Sequence, residues 1–425
     1  MSYAFTTSLG FFSTLKKVIL STKKTNSSLS LPVAASAMDG NSSCALVICG
    51  KSSAENETAK TLKNSGALKL TDNTELSILL HSESAKPIKE DAFGMDSFMN
   101  SLPTNRFGRF LLWSPRLPST HDVVSQNFCE LPIGAVCVAD VQYKGRGRSK
   151  NVWESPKGCL LFSFTLQMED GRVVPLIQYV VSLAVTEAIK DVCDKNGLPY
   201  VDVKIKWPND LYLNGLKVGG ILCTSTFKSK QFNVSAGIGL NVDNEKPTTC
   251  LNTFLRELSV TTYQFRREDI LAAFFDKFEK FYELFINQGF QSLEELYYKT
   301  WLHSGQRVIV QEKNDDQVVE NVVTVQGLTS SGYLLAIGDD NQMCELHPDG
   351  NRSLETSIGE DMEIATSPFS IFLTSSKDWS DESLTEEDAL APCISGYNLA
   401  LSCAPLRMFS FSYFFIFCFY LLFSV

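Results

Sequence analysis

The chain has 425 residues, a formal net charge of −10 and 44% hydrophobic residues. This length allows two or three domains with a sizeable core, and the composition is that of an ordinary globular protein. A nonspecific nucleic-acid binder needs an overall attraction to phosphate, so the negative charge excludes that class and leaves only a local basic site.

The spacing of the cysteines and histidines indicates neither a metal site nor a disulfide framework. The 12 cysteines contain no C-x-x-C pair, and the 4 histidines are far apart along the chain. We therefore expect no metal bound by protein ligands alone. We also expect reduced cysteines that serve as small core residues in a reducing compartment.

The first 37 residues have the composition of an organelle transit peptide. They contain no Asp or Glu, 4 lysines and many Ser and Thr. The absence of arginine favours the chloroplast over the mitochondrion, and an untargeted tail is the alternative. Met38 can act as an internal start, which predicts a second, cytosolic form.

The next predicted unit, residues 38–105, alternates short apolar runs with polar stretches. This pattern predicts a small α/β extension of unknown role. It shows no helix-turn-helix pattern, so we expect no DNA-binding arm and no nucleic-acid partner.

A denser main domain, residues 106–300, follows the extension. Apolar alternation predicts strands at 110–113, 133–142 and 160–166. Pro175 begins a long amphipathic helix, and Asn196-Gly197 ends it as a left-handed cap. Further strands are predicted at 203–206, 211–213, 216–224 and 232–242, and further helices at 267–285 and 293–300.

The dipeptide Asn214-Gly215 is the strongest turn signal, because a type I′ hairpin needs positive φ at both positions. It joins strands 211–213 and 216–224 into a hairpin. The expected pairs are Leu213 with Leu216, Tyr212 with Lys217, and Asp210 with Gly219. After the helices, four short strands at 307–310, 318–326, 333–337 and 342–346 predict a small β-barrel.

A basic loop with two glycines follows strand 133–142, with the sequence Lys144-Gly145-Arg146-Gly147-Arg148-Ser149-Lys150-Asn151. It lacks the third glycine of a dinucleotide fingerprint and the G-x-x-x-x-G-K of a Walker loop. Its glycines let the backbone wrap a ligand, and its arginines can donate to carboxylate and phosphate oxygens. A solvated surface turn is the alternative.

A second cluster combines Lys206-Trp207-Pro208-Asn209-Asp210 with the hairpin strand Lys217-Val218-Gly219-Gly220-Ile221. Consecutive glycines opposite polar residues indicate a close approach of ligand to backbone. The two clusters offer cations to a polyphosphate, but no activated Ser or Cys in a recognisable frame. This chemistry favours displacement at phosphorus by a substrate's own carboxylate, which the protein positions.

From about residue 106 to 350 the sequence resembles the biotin–protein ligases, specifically the plant holocarboxylase synthetases. Five motifs in order carry the resemblance: Ser119-Thr120-His121, Gly145-Arg146-Gly147-Arg148 followed by Trp153-x-Ser155-Pro156-x-Gly158, Lys206-Trp207-Pro208-Asn209-Asp210, Lys217-Val218-Gly219-Gly220-Ile221-Leu222, and Gly237-Ile238-Gly239-Leu240-Asn241-Val242. The resemblance implies an α+β fold. Its catalytic domain (106–300) has a mixed or antiparallel sheet flanked by helices, as in class II synthetases, and a small SH3-like β-barrel (301–350) follows.

The resemblance also implies a two-step reaction. The carboxylate of biotin attacks the α-phosphate of Mg²⁺-bound ATP to give biotinyl-5′-adenylate, and a lysine on the biotin-carrier domain of a carboxylase then attacks the adenylate. The implied biotin-binding residues are Ser119, Thr120, His121, Gln142, Arg146, Gly147, Arg148, Lys217 and Gly220. The implied catalytic residues are Lys217, Arg146, Arg148 and Asp210, and those on the nucleotide side are Trp153, Asn209 and Asn241. Core packing is the alternative for Trp153, and turn capping for Asp210.

The end of the chain departs from the family pattern. The barrel of the family ends with one more strand after the turn at 347–350, whereas residues 351–425 match nothing in it, so we expect an incomplete barrel. Residues 408–425 are 18 uncharged, mostly apolar residues, marginally enough to span a bilayer. The alternatives are an altered transcript end, a membrane anchor or a segment packed on the protein.

Two other functions stay open at this point. A lipoate–protein ligase shares the adenylation logic, although a lipoyl pocket is largely apolar whereas the ring of biotin needs polar partners such as Ser119 and Gln142. The second alternative is a noncatalytic biotin-binding or regulatory isoform, inactivated by its altered C-terminus. The sequence does not indicate the oligomeric state.

Overall fold

The structure is a computed structural model that describes residues 44–70, 75–83, 91–148, 151–244, 246–314, 317–347 and 352–355. The predicted transit peptide, Met38 and the apolar segment 408–425 lie outside these residues. So do Ser149 and Lys150 of the basic loop.

Nine strands of the described residues form one mixed sheet. The strands are β1 Cys44–Gly50, β2 Leu76–Leu80, β3 Phe110–Ser114, β4 Val136–Ala139, β5 Cys159–Met168, β6 Lys204–Lys206, β7 Asp210–Leu213, β8 Leu216–Lys228 and β9 Gln231–Asn241. Their order in the sheet is β2-β1-β3-β4-β5-β9-β8-β7-β6. The pairs β1–β2 and β3–β4 are parallel, and every other neighbouring pair is antiparallel. This sheet confirms the predicted α+β class.

Helices flank this sheet. They are α1 Ser53–Ser65, α2 Met95–Ser101, α3 Thr120–Gln126, α4 Ile177–Asn196, α5 Leu251–Glu257, α6 Arg267–Gln288 and α7 Gln291–Thr300. As predicted, α4 ends at Gly197, which adopts φ 61°. Helices α4 and α6 pack on each other, and phenylalanine rings of α6 contact Phe162 and Phe164 of β5 edge-on. This aromatic layer holds one face of the sheet.

The described part of the N-terminal extension belongs to the same sheet as the main domain. Strand β1 pairs with β3 in antiparallel register, from Val47 opposite Trp113 to Gly50 opposite Phe110. Alternate β1 side chains enter two cores, Leu46 and Ile48 on one face and Val47 on the other. The predicted boundary at residue 105 therefore does not separate two sheets. Short apolar runs show that a strand exists, but not which distant strand pairs with it.

The hairpin around Asn214-Gly215 forms with one correction to its register. Leu213 lies opposite Leu216 and Tyr212 opposite Lys217, as predicted, but Asp210 lies opposite Gly220 rather than Gly219. The register shifts between Leu211 and Tyr212, which leaves Val218 as the extra residue of a β-bulge. Val218 is fully buried, so the extra residue places an apolar side chain in the core.

The remaining strands of the described residues form a second, five-stranded antiparallel sheet. They are β10 Arg307–Asn314, β11 Gln317–Leu328, β12 Leu334–Gly338, β13 Met343–Leu346 and β14 Arg352–Glu355. Their order is β13-β12-β11-β10-β14. The expectation that no strand follows the turn at 347–350 is wrong, because β14 pairs with β10. A short strand paired through its backbone needs little apolar pattern. Because β13 and β14 are edges of this order, the SH3-like barrel stays a prediction.

Two further findings concern the described residues as a whole. None of their helices combines the length and the apolarity that a membrane crossing requires. Their nine cysteines are free thiols, and six of these thiols are buried.

Candidate functional site

A cavity of about 470 Å³ opens over β5, β9, β8 and β7, which lie side by side in the sheet. All but one of the predicted site residues line it: Ser119, Thr120, His121, Gln142, Arg146, Gly147, Arg148, Trp153, Asn209, Asp210, Lys217 and Gly220. The exception is Asn241. Residues far apart in the sequence thus meet at one concave place, as a ligand site requires.

Glycines form the floor of the cavity. Gly220 of β8 lies opposite Gly239 of β9, and Gly237 lies two residues before Gly239 on the same face. A Cβ atom at Gly239 would lie 2.4 Å from Nε1 of Trp153, and one at Gly237 would lie 3.0 Å from Oγ of Ser163. The missing side chains therefore leave room both for the Trp153 ring and for a ligand.

One side of the cavity, which we call the neutral side, consists of Thr120, Gln142 and Ser163, together with Ser155, which contacts Gln142 but does not line the cavity. The backbone N–H and the hydroxyl of Thr120 both donate to Oε1 of Gln142, at 2.7 and 3.1 Å. The Gln142 amide nitrogen donates to Oγ of Ser155 at 3.0 Å. Oγ of Ser163 lies 2.9 Å from the Thr120 hydroxyl. Because Thr120 donates to Gln142, the Ser163 hydroxyl donates to Thr120, and the order of the chain is fixed.

The start of α3 places Thr120 at this side. Ser119 is the N-cap, and its hydroxyl accepts a hydrogen bond from the backbone N–H of Asp122. His121 is buried, and its Nε2 lies 3.1 Å from the Thr224 hydroxyl. Burial lowers the pKa of the His121 imidazole to about 4, and the nearby Arg146 guanidinium adds to this effect. His121 is therefore uncharged at neutral pH.

A second group of lining residues, which we call the charged side, consists of Arg146, Arg148, Asp210 and Lys217. The ammonium of Lys217 lies 2.8 Å from Oδ1 of Asp210 and 5.6 Å from the centre of the Trp153 ring. The carboxylate and the ring face together hold this cation over the floor. Asp210 lies two residues before Tyr212, which pairs with Lys217, so the two charged groups are diagonal neighbours across the hairpin.

The basic loop folds back on itself at the rim. The backbone N–H of Gly147 donates to the carbonyl of Asn151, and Trp153 N–H donates to the carbonyl of Gly145. Nε of Arg146 lies 3.0 Å from Oδ1 of Asp122 at the start of α3. Burial lowers the pKa of the Arg148 guanidinium, and the Asp210 carboxylate opposes this shift. Both arginines thus lie near carboxylates of the protein.

Asn209 presents one buried acceptor to the cavity. Its side-chain nitrogen donates to the carbonyl of Ile221, and the N–H of Ile221 donates back to the carbonyl of Asn209. This pair fixes the amide orientation, and Oδ1 has no hydrogen-bond partner among the described residues. A buried oxygen of this kind is available to a ligand donor or a cation.

Asn241 lies outside the lining. Its side-chain nitrogen donates to the carbonyl of Thr249 at 3.0 Å and to the Thr248 hydroxyl at 3.3 Å. Thr248 in turn donates to the backbone carbonyl of Lys217. Asn241 therefore supports the segment beside Lys217, and its predicted role toward the nucleotide stays a prediction.

Sequence reasoning missed Ser163 and Asp122. Ser163 interrupts an otherwise apolar buried strand, and an isolated hydroxyl at such a position is a signal for a polar partner. Asp122 stands three residues after Ser119, the spacing of an N-terminal cap. Helix α3 itself was not predicted, because it is only 7 residues long.

The sequence of the chain is similar to those of known protein ligases. Residues 113–241 match the family model described as the biotin/lipoate A/B protein ligase family. The chain is 68% identical over 348 residues to "Biotin–protein ligase 1, chloroplastic" of Arabidopsis thaliana. The matched region covers 81% of this chain and 95% of that protein. It is 70% identical over 316 residues to "Biotin–protein ligase 2" of the same plant, covering 74% and 96%.

A solved biotin protein ligase from Aquifex aeolicus, in complex with biotin and ATP, is 25% identical with a TM-score of 0.45, covering 58% of this chain and 99% of that chain. The identity with the two Arabidopsis proteins extends over almost their whole length. On that ground the chain belongs to the biotin–protein ligases.

Proposed function

We propose that the protein forms biotinyl-5′-adenylate from biotin and ATP and transfers the biotinyl group to a lysine of biotin-carrier domains. The observation that carries this proposal is a single cavity whose two sides differ in chemistry. The neutral side suits an uncharged polar ring, whereas the charged side suits a carboxylate and phosphates.

The neutral side supplies hydrogen bonds of fixed direction. The ureido ring of biotin carries two N–H donors and one carbonyl acceptor, so it requires acceptors and a donor from the protein. Oγ of Ser163 and the Thr120–Gln142 pair offer such groups in a buried setting, where an unmatched polar atom costs about 1–3 kcal/mol. A ligand without a ureido ring would leave these buried polar atoms without hydrogen-bond partners. The neutral side therefore selects for biotin.

The charged side supplies stabilisation for the first step. As the biotin carboxylate attacks the α-phosphate and pyrophosphate leaves, negative charge shifts among the phosphate oxygens. Lys217, together with Arg146 and Arg148 of the loop, places cations where this charge develops. Asp210 keeps the Lys217 ammonium in place at 2.8 Å before substrates bind.

In the second step the amine of the acceptor lysine attacks the mixed anhydride and AMP leaves. The amine must lose a proton as it attacks. Asp210 is the carboxylate on the charged side, so we assign to it the orientation of Lys217 and of the incoming amine.

Mg²⁺ fits this site as the partner of ATP rather than as a metal held by protein alone. The described residues contain no group of three or more His, Cys, Asp or Glu side chains that could hold a metal. Mg²⁺ commonly needs only one or two protein oxygens beside the phosphates. The unpartnered Oδ1 of Asn209 and the adjacent Asp210 would hold it, and the ion would neutralise phosphate charge.

The rival functions are less well supported. The family model covers both biotin and lipoate ligases, but the relatives at 68% and 70% identity are named biotin–protein ligases. A noncatalytic isoform is not favoured either, because the side chains predicted to be catalytic line one cavity. For location we propose the chloroplast, in line with the name of the 68% identical relative. A cytosolic form from Met38, a mitochondrial form and a membrane anchor at 408–425 stay expectations.

The proposal is tested by ATP-dependent labelling of a recombinant biotin-carrier domain with biotin and, in parallel, with lipoate. Labelling with biotin but not with lipoate supports the proposal, and so does biotin-dependent exchange of pyrophosphate into ATP. Exchange with lipoate but not with biotin would assign the other ligase activity, and binding of biotin without exchange would assign the noncatalytic isoform.

A further inference from the structure

Trp207 stands two residues before Asn209, and groups outside the hairpin hold it. Its backbone N–H donates to Nε2 of His303 at 2.9 Å. Its indole N–H donates to the Tyr179 hydroxyl at 2.9 Å and to the carbonyl of Gly332 at 3.2 Å. The Tyr179 hydroxyl donates to the same carbonyl at 2.6 Å. Both N–H groups of Trp207 are thus satisfied, by α4, by the segment between α7 and β10 and by the turn between β11 and β12.

His303 is built to accept this hydrogen bond. Nδ1 lies 2.7 Å from the side-chain oxygen of Gln306 and donates to it, which leaves Nε2 as the acceptor. Burial lowers the pKa of the His303 imidazole to about 4, and the nearby Lys206 ammonium lowers it further. The ring therefore stays neutral, and the acceptor is present at physiological pH.

The backbone beside His303 is fixed to the large sheet. The N–H of Leu302 donates to the carbonyl of Ile205 at 2.9 Å, and Trp301 forms a parallel bridge with Ile205. Gly332 adopts φ +86°, and a Cβ there would lie 2.9 Å from Leu176 and 3.0 Å from Tyr179. Only glycine lets this carbonyl approach Tyr179 and Trp207 so closely.

On its other side the same segment is held by β8. Asn209 exchanges two hydrogen bonds with Ile221, and Asp210 pairs with Lys217. Residues 207–210 are therefore clamped between the second sheet and the floor of the cavity. A shift of about 1 Å in such a segment can reduce the rate of a positioned reaction about 10²-fold.

We propose that His303 is a positioning residue for adenylate formation, holding Trp207 and through it Asn209 and Asp210 in place on the charged side. This inference rests on the proposed function. The segment that precedes the second sheet and the turn between β11 and β12 would accordingly contribute to the first chemical step, although no described residue after Pro247 lines the cavity.

The test compares three variants of the full chain in single-turnover release of pyrophosphate with biotin and ATP. His303→Leu keeps volume but lacks the acceptor, so we expect the maximal rate to fall by about 10- to 100-fold. His303→Gln places an amide oxygen where Nε2 was, so we expect it to restore the rate to within about threefold of wild type. Asn321→Leu, at an exposed position of β11 that does not line the cavity, is the control and should leave the rate unchanged.

The KM for biotin decides between positioning and general loss of structure. Because His303 touches no residue of the neutral side, we expect that KM to change by less than about threefold in all three variants. A wild-type rate in His303→Leu would overturn the inference. So would an equal loss of rate in the Gln and Leu variants.

If His303→Leu does not fold, Gln306→Leu takes its place. It removes the group that fixes the tautomer and leaves the imidazole, so we expect a loss of rate of about two- to fivefold with Tm unchanged. A wild-type rate in that variant would overturn the inference. Failure of the proposed function is distinguishable, because the wild-type protein would then release no pyrophosphate in response to biotin.

Discussion

The two sides of the cavity differ in how they are prepared for a ligand. On the neutral side, Thr120, Gln142, Ser155 and Ser163 already form a continuous chain of hydrogen bonds. On the charged side the cations are paired with carboxylates of the protein, Lys217 with Asp210 and, at the rim, Arg146 with Asp122. The first arrangement is rigid before binding, whereas the second must exchange partners when an anion arrives.

This difference assigns different kinetic roles to the two sides. A rigid set of directed groups discriminates between ligands, so the neutral side should govern affinity for biotin. Cations that transfer from a carboxylate to a developing phosphate charge act during the reaction, so the charged side should govern the rate of adenylate formation. Variants on the two sides should therefore change different parameters.

The largest effect is expected on the charged side, from Lys217→Ala. Loss of a donor aimed at developing charge typically costs about 3–4 kcal/mol, or a factor of about 10² to 10³ in rate. Adenylate yield in a single turnover measures it. Lys228→Ala, at the far end of the same strand, is the control that should stay at the wild-type level. Near-normal yield in Lys217→Ala would remove Lys217 from the chemistry.

The next effect concerns the neutral histidines and the stability of the fold. The folded-state pKa values of His121 and His303 are lowered from 6.5 to about 4. The unfolded chain therefore takes up protons below pH 6.5 while the folded chain does not, so the free energy of unfolding falls as the pH falls from 6.5 toward 4. By pH 5 each histidine should remove about 2 kcal/mol.

Urea unfolding at pH 7 and pH 5 measures this loss, and His121→Gln should reduce the difference by the share of His121. An unchanged pH dependence in that variant would mean that His121 is not held neutral in the folded state. Its place beside the neutral side would then need another explanation.

A smaller effect is expected from Thr120→Val on the neutral side. The variant keeps the shape of the side chain but leaves Gln142 and Ser163 each short of one partner. A loss of about 1–2 kcal/mol in biotin binding follows, or roughly a tenfold rise in KM. Steady-state pyrophosphate exchange measures it, with Thr58→Val on the exposed face of α1 as the control. A lowered maximal rate with unchanged KM would contradict the assignment of the two sides.

The smallest effect concerns the rim loop. Biotin and ATP together should slow trypsin cleavage at Arg146 and Arg148 by several-fold, because bound anions engage both side chains. Asp122→Asn removes the carboxylate beside Arg146, so it should speed cleavage without ligand and leave protection by ligand intact. Equal cleavage rates with and without both ligands would show that the loop does not close over them.

Much of this organisation could be predicted from the sequence because its signals are local. The Asn-Gly turn, the left-handed cap of α4 and the order of five motifs each depend on neighbouring residues. The predicted cross-strand partner of Asp210 was wrong by one residue. The β-bulge at Val218 causes this error, because it depends on tertiary burial rather than on the turn. The pairings of β1 with β3 and of β14 with β10 were missed, because they join residues far apart in the chain.

The site shows the same limit. Twelve of the thirteen residues predicted from the motifs line the cavity. The motifs did not show that the thirteenth, Asn241, supports a neighbouring segment instead. It also gave no reason to connect Trp207 with His303, which are 96 residues apart and meet through one hydrogen bond. Contacts between side chains of separate elements need the folded structure.

The central claim is that one side of the cavity recognises biotin and the other forms the adenylate. The most direct test measures the rate of biotinyl-adenylate formation at rising biotin concentration for wild type, Thr120→Val and Lys217→Ala. The account predicts that Thr120→Val reaches the wild-type rate when biotin is saturating, whereas Lys217→Ala stays slow at every concentration. Rescue of Lys217→Ala by excess biotin, or a slow Thr120→Val at saturation, would contradict it.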